Sequence, residues 1–371
     1  MNKVCVYQDF ESLPIIYKAI FADTSAAPCI FQSLPWFHNL VATGLPHNTS
    51  LRIYGIESDA EPREPLLILP LCHQTSAQKR FSSRHLTALS TFYTSLFSPI
   101  MGKSHALPAS ALEENLQALI KTIATERPRW DTIDLRPMEA DSQIFRSLIN
   151  AFRKNGMAVQ RYFCFGNWYL KVNGRTFQEY CDALPSKLRN TLERKSKQLE
   201  NSNRLRIRIF STPDELDVGI DAYERIYHAS WKTPETYPAF IPGLIHTCAE
   251  QGWLRLGIAY IDEQPAAAQI WIVYNNVASI YKLAYDEQFA SFSIGTILTA
   301  RLMRQVIDVD KVREVDYLTG DDDYKKDWMS DRRERMGLVA FNLYTLRGLF
   351  AACKNLGGHA VKKMIRFNTS K

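Results

Sequence analysis

The chain has 371 residues, 46% of them hydrophobic and 23% charged. That balance excludes a disordered chain and, at this length, predicts two domains rather than one core. A formal net charge of +6 permits an anionic small molecule, but it is modest for a protein that grips a nucleic-acid backbone.

The start, MNKVCVYQDFESLPII, places Asp9 and Glu11 where a signal peptide would have an uninterrupted apolar core. No stretch approaches the ~18 apolar residues of a membrane span. A cytoplasmic location is the expectation, and the scattered, odd-numbered cysteines (no C-x-x-C among them) read as reduced thiols. The histidines show no ligand spacing, so no metal is expected.

Two β-prone runs, Leu51–Ile56 and Leu66–Cys72, flank the polar turn ESDAEPRE and predict a hairpin. A strand-like STFYTSLFS follows at 90–98. A helix then spans PASALEENLQALIKTI, with Ser110 as N-cap and Glu113 completing a capping box. DTIDLRP at 131–137 is the next strand. Near Gly166, AVQRYFCF gives way to NWYLKV, which places a domain boundary there: residues 1–165 and 166–371.

The second half opens on a basic helix, SKLRNTLERKSKQLE at 186–200, whose cations could meet phosphates, an anionic acceptor or solvent. YHASWKTPETYP follows, with His228, Trp231 and Tyr237 as candidate acceptor-pocket residues. Then the earlier order returns: a hairpin (Leu254–Tyr260 and Ala266–Tyr274), the strand-like ASIYKLAYD at 278–286, a helix, and REVDYLTG at 313–320. Four elements in the same order predict a diverged duplication. The second helix opens Ser293-Ile294-Gly295-Thr296-Ile297 with Ser293 as its cap. It has no acidic residue in its first turn, where free N–H groups and the dipole favour negative charge. The expectation is that a ligand anion such as a pyrophosphate supplies it, with the first copy closed by Glu113 and Glu114.

A strand, an acid-free loop and a helix opening S-x-G resemble the acyl-CoA site of the GNAT superfamily of N-acyltransferases. The run from Tyr281 to Ser330, with Tyr285-Asp286, Ser293, Gly295, Asp316, Gly320, Tyr324-Lys325 and Trp328, is more specifically similar to the double-GNAT, CelD-like acyltransferases related to the Fem peptidyltransferases. Proline is commoner there than Ile294, and the Q/R-x-x-G-x-G/A phosphate loop is present only in part as S-F-S-I-G. The resemblance implies an α/β fold of two tandem GNAT-like domains. Each has a mixed, mostly antiparallel central sheet flanked by helices, and only the second binds the co-substrate. It implies acetyl-CoA or a longer acyl-CoA held by Leu283, Ala284, Ser293, Ile294, Gly295 and Thr296, and a small-molecule amine as acceptor. It also implies substrate contacts at Tyr281, Trp231 and Tyr324.

Acyl transfer to an amine needs an N–H donor for the oxyanion, a proton acceptor and an acid for the leaving thiolate. A main-chain N–H around Leu283–Tyr285 is the expected oxyanion donor. Asp316 and Asp286 are candidate proton acceptors and Tyr285 the candidate acid; Lys325 could hold an acyl carbonyl or phosphate. Alternation in EVDYL sets Val315 and Tyr317 on one face and Glu314, Asp316 and Leu318 on the other. Asp316 is therefore either a desolvated base or the partner of a nearby Arg or Lys. Two other readings stand beside acyl-CoA transfer: a Fem-like enzyme using charged tRNA, and a catalytically silent binding protein of a polysaccharide pathway.

Overall fold

A computed structural model describes residues 2–22, 28–59, 63–75, 83–102, 108–201 and 203–356. The chain divides into two units. The first takes Met1–Leu34, Leu45–Cys164 and Glu334–Lys371, and the second Pro35–Gly44 and Phe165–Arg333. A single cut at 165/166 accounts for neither the Pro35–Gly44 segment nor the chain beyond Arg333.

In chain order the elements begin β1 (Lys3–Tyr7), α1 (Ile15–Ala22), α2 (Leu34–Thr43), β2 (Thr49–Glu57), β3 (Pro65–Gln74), β4 (His85–Ala88) and β5 (Ile100–Met101). There follow α3 (Ala109–Thr125), β6 (Thr132–Glu139), α4 (Gln143–Lys154), β7 (Met157–Lys171), α5 (Phe177–Asp182), α6 (Ser186–Asn201) and β8 (Leu205–Phe210). The rest are α7 (Leu216–His228), α8 (Phe240–Glu250), β9 (Leu254–Ile261), β10 (Gln264–Tyr274), β11 (Val277–Tyr285), α9 (Ile294–Arg304), β12 (Glu314–Asp316) and β13 (Asp331–Asn342).

Both units are built on the same pairing pattern. In the first, β2, β3 and β4 pair antiparallel in turn, and β4 then pairs parallel with β6 across α3. In the second, β9, β10 and β11 pair antiparallel, and β11 pairs parallel with β12 across α9. Each parallel strand is then flanked by an antiparallel one: Arg335–Phe341 of β13 beside β6, and Tyr169–Lys171 of β7 beside β12. The first unit thus completes its sheet with a strand that lies beyond the second in the chain, and the second with the start of its own long segment. The near-continuous apolar runs of β3 and β10 are buried along most of their length, as strands covered on both faces must be. In the first unit α3 lays Leu112, Leu116, Leu119, Ile120 and Ile123 on the sheet at helical spacing. In the second, α9 does the same with Ile294, Ile297, Leu298 and Leu302.

Two local expectations fail for identifiable reasons. The 90–98 stretch is a loop, and the strand is β4 just before it. Its alternating apolar pattern comes from Tyr93 and Phe97 packing inward from irregular backbone. The capping box at Ser110 does not form: α3 starts at Ala109 with Pro108 as its N-cap, so Ser110 is already inside the helix. No acidic residue stands in the first turn of α3 either, so a bare helix start does not separate the two copies. The boundary expected near Gly166 falls beside the division at Cys164/Phe165, but inside a strand, since β7 runs on through it. Glycine is needed there because a Cβ would lie 2.6 Å from both the Asp321 carboxylate and the Arg332 guanidinium.

Candidate active site

What distinguishes the second unit is a free strand edge. β11 pairs with β12 only over Val277–Ser279. After Asp316 the chain turns away toward β7, where Tyr317 N–H donates to Trp168 O at 2.9 Å and Gly320 forms a parallel bridge with Asn167. Among the described residues no strand pairs with the far half of β11 on that side. In the first unit β4 offers no such edge, since it ends one residue beyond its pairing with β6.

The register of β11 fixes which groups face the gap. Ile270 pairs with Lys282 but Trp271 pairs with Ile280, so Tyr281 is the extra residue of a β-bulge. Asp286 N–H donates to Ala266 O at 2.9 Å, which marks a closely bonded antiparallel pair. By alternation Ala284 and Lys282 also point their main chain at β10. The peptide groups of Leu283 and Tyr285 therefore point into the gap. Of the two strand residues expected at the co-substrate, Leu283 offers its amide there and Ala284 does not.

Beyond β11, residues Glu287–Phe292 form a 3-10 turn that ends on Ser293 in the left-handed region, φ 54°. That conformation costs a non-glycine residue about 1–2 kcal/mol. It also points the Ser293 hydroxyl away from capping: it makes no bond to the first turn of α9, contrary to the sequence expectation. Asp286 caps the 3-10 turn instead, accepting from Gln288 N–H at 3.0 Å and Gln288 Nε2 at 2.6 Å. The amides of Ile294, Gly295 and Thr296 are left without an intrahelical acceptor. A Cβ on Gly295 would meet only Tyr285 Cδ1, at 3.6 Å, so there is room at that position beyond the Tyr285 ring. A buried chain fixes this turn to the sheet. Trp271 Nε1 donates to Gln269 Oε1 at 2.8 Å, and Gln269 Nε2 donates to Gly295 O at 3.0 Å and Thr299 Oγ1 at 2.7 Å.

Side chains around the gap come from several elements. The Tyr285 ring lies 4.6 Å from that of Trp231, which is 51% exposed rather than a core residue. Tyr281 packs edge-on against Trp36 of α2 at 6.1 Å. Lys282 Nζ bonds Glu235 Oε1 at 2.6 Å, and the Tyr227 hydroxyl donates to the same oxygen at 2.9 Å. Tyr324 stands edge-on to the buried Tyr317 at 5.8 Å, and partial burial with the Asp322 charge pushes its hydroxyl up to about 12. His228 points elsewhere, its Nδ1 2.7 Å from Glu224 O on its own helix.

Asp316 is buried and fully engaged. It accepts from Arg333 Nη2 at 2.5 Å, Asn167 Nδ2 at 2.5 Å and Leu318 N–H at 2.6 Å. Of the two readings of Asp316, the ion-pair partner is the one its contacts describe, and its oxygens are committed before any substrate arrives. Lys325 is likewise buried, with its three ammonium donors spent on Thr319 O at 2.6 Å, Gly320 O at 3.3 Å and Asp322 Oδ2 at 3.1 Å. It clamps the loop after β12 rather than offering a free charge. The sequence reading missed the bulge at Tyr281, the Glu235–Lys282 pair, and Asn167 and Arg333 behind Asp316. No local pattern in the sequence signals any of them.

A strand with a bulge, a parallel neighbour that splays from it and a bare helix start after it define a recognisable architecture. Residues 186–326 match the family described as "Acetyltransferase (GNAT) domain". The fold is GNAT-like. The chain is similar to the crystal structure of FemX, with 9% identity, a TM-score of 0.60 and coverage of 91% of this chain and 98% of that one. It is also similar to the C-terminal domain of a protein proposed to be a lysylphosphatidylglycerol synthetase from Agrobacterium fabrum (10% identity, TM-score 0.50, 91% and 95% covered). A conserved protein of unknown function from Bacteroides thetaiotaomicron matches at 9% identity and TM-score 0.51, with 83% and 89% covered. A comparison with curated protein sequences finds no match. Among the described residues, no helix of this GNAT-like fold is long and apolar enough to cross a membrane.

Proposed function

We propose that the second unit transfers an acyl group from acyl-CoA, acetyl-CoA or longer, to the primary amine of a small metabolite, sugar or amino acid. The observation that carries this reading is the unpaired edge of β11, with the Leu283 and Tyr285 amides facing the gap beside the open first turn of α9. An extended thioester arm fits such an edge as an added strand, and its diphosphate fits the amides of Ile294–Thr296.

In this scheme the amine lone pair attacks the thioester carbonyl and the C–N bond forms. The oxyanion takes a hydrogen bond from a main-chain N–H at Leu283 or Tyr285. Collapse breaks the C–S bond, the Tyr285 hydroxyl protonates the departing thiolate, and the amine proton leaves to water. Asp316, Asp286 and Lys325 are assigned positioning roles, because the contacts of each hold the surrounding loops in place. The first unit lacks the free edge and is assigned no co-substrate.

The FemX likeness along nearly the whole of that chain favours a second reading, in which charged tRNA is the acyl donor. Native mass spectrometry of the purified protein with a panel of acyl-CoAs tests the first, and binding of tRNA at two salt concentrations tests the second. A one-to-one acyl-CoA complex, lost in Gly295→Glu, is the expected result. Steeply salt-dependent tRNA binding without any acyl-CoA complex would overturn it.

A further inference from the structure

Beside the gap, Lys232 has no ion pair or hydrogen bond from its ammonium among the described residues. It follows Trp231, whose ring rests on Tyr285, and its Nζ lies 5.5 Å from the Trp231 ring centre. The charges that act on it come from both sides of the gap: Lys282 on β11, Glu235 before α8, and Asp322 and Lys325 on the loop after β12. Lys282 is paired with Glu235, and Lys325 with Asp322. Burial and the two neighbouring ammonium groups push the Lys232 pKa below that of an ordinary lysine. An unpaired, half-buried cation held beside two others is unfavourable unless an anion completes the set.

We infer that the acceptor amine carries an anionic group, a carboxylate or a phosphate, which docks on the Lys232 ammonium over the gap between β11 and the loop after β12. The inference rests on the acyl-transfer reading and narrows its substrate class. A simple uncharged amine would leave the surplus charge uncompensated, whereas an amino acid or a phosphorylated amine would neutralise it. The Trp231 ring lies against the same ammonium and gives a charge-assisted hydrogen bond there one apolar flank.

The test uses the full chain with its lysines dimethylated with carbon-13, which keeps their charge, read by NMR. N-acetylglycine and N-methylacetamide serve as matched probes that differ by one carboxylate, and inorganic phosphate as a third. The expected result is that N-acetylglycine, phosphate or both move one lysine signal that is absent in Lys232→Met, and raise its pKa, while N-methylacetamide does not. A response to N-acetylglycine identifies a carboxylate acceptor, and a response to phosphate alone identifies a phosphorylated one. Lys232→Met should weaken binding of the responding anion about 10- to 100-fold, the range for one lost charge-assisted bond. Lys232→Arg should restore it and extend it to higher pH, because arginine stays charged. Equal shifts with all three probes, or none with either anion, would overturn the inference. Failure of acyl transfer to every amine, with anion binding at Lys232 intact, would instead overturn the transferase reading and leave the anion site standing.

Discussion

Gly295 separates the needs of the fold from those of a ligand. The nearest atom to a Cβ added there is Tyr285 Cδ1 at 3.6 Å, an ordinary van der Waals contact, and the residue is helical. Gly295→Ala should therefore stabilise the protein by about 0.4–1 kcal/mol through the unfolded state, a rise of about 1–4 °C in Tm. Gly295→Glu adds a carboxylate to the positive end of α9, worth a further ~0.3–1 kcal/mol. The same carboxylate would oppose a bound diphosphate by ~4 kcal/mol for unit charges 4 Å apart near the surface, about a thousandfold in Kd. Scanning fluorimetry and calorimetry with acetyl-CoA measure the two effects separately. A glutamate variant that melts at or above the wild-type temperature yet has lost acetyl-CoA binding is the expected outcome. If it binds acetyl-CoA as the wild type does, the helix tip is not the diphosphate site; if Gly295→Ala lowers Tm, the steric reasoning is wrong.

Leu298, fully buried under α9, should cost about 2–5 kcal/mol when changed to Ala, read as a fall in the denaturant midpoint. Asp316→Asn leaves the Arg333 guanidinium with Glu314 as its remaining charged partner and should cost about 1–3 kcal/mol, with turnover per folded molecule little changed. A large loss of turnover at unchanged stability would return Asp316 to the role of base. In the first unit, burial raises the pKa of Asp134 against the opposing effects of its Tyr162 hydrogen bond and the Arg136 charge. A carboxyl raised on folding favours the native state below its unfolded pKa, and that contribution fades as pH climbs through the raised value. Asp134→Asn should accordingly flatten the loss of stability above the ordinary carboxylate range. Denaturation midpoints across pH 3–8 that decline in parallel for both proteins would count against this.

The sequence exposed the duplicated order of elements because hairpins and amphipathic helices are written in short-range periodicity. The runs at 51–72 and 254–274 became β2–β3 and β9–β10, and Glu314 and Asp316 of EVDYL both reach Arg333, although the strand ends at Asp316 and Leu318 is left-handed. What it could not show depends on register or on partners far along the chain. The bulge at Tyr281 is visible only once β11 is laid against β10. The commitment of Asp316 needs Asn167, 149 positions earlier in the chain, and Arg333 from the start of β13. Capping misled twice, at Ser110 and at Ser293. A hydroxyl residue near a helix start caps only if the backbone places it at the boundary with extended geometry, and neither does.

The late return of β13 to the first sheet has a consequence for how this two-unit chain can evolve. With Arg335–Phe341 completing the first sheet, cutting the gene between Cys164 and Phe165 would leave the first product with a raw sheet margin, open to self-association. The first unit cannot be kept intact without the stretch that encodes the second, even where only one of them has chemistry to perform. Selection on the half that does would also preserve its sibling.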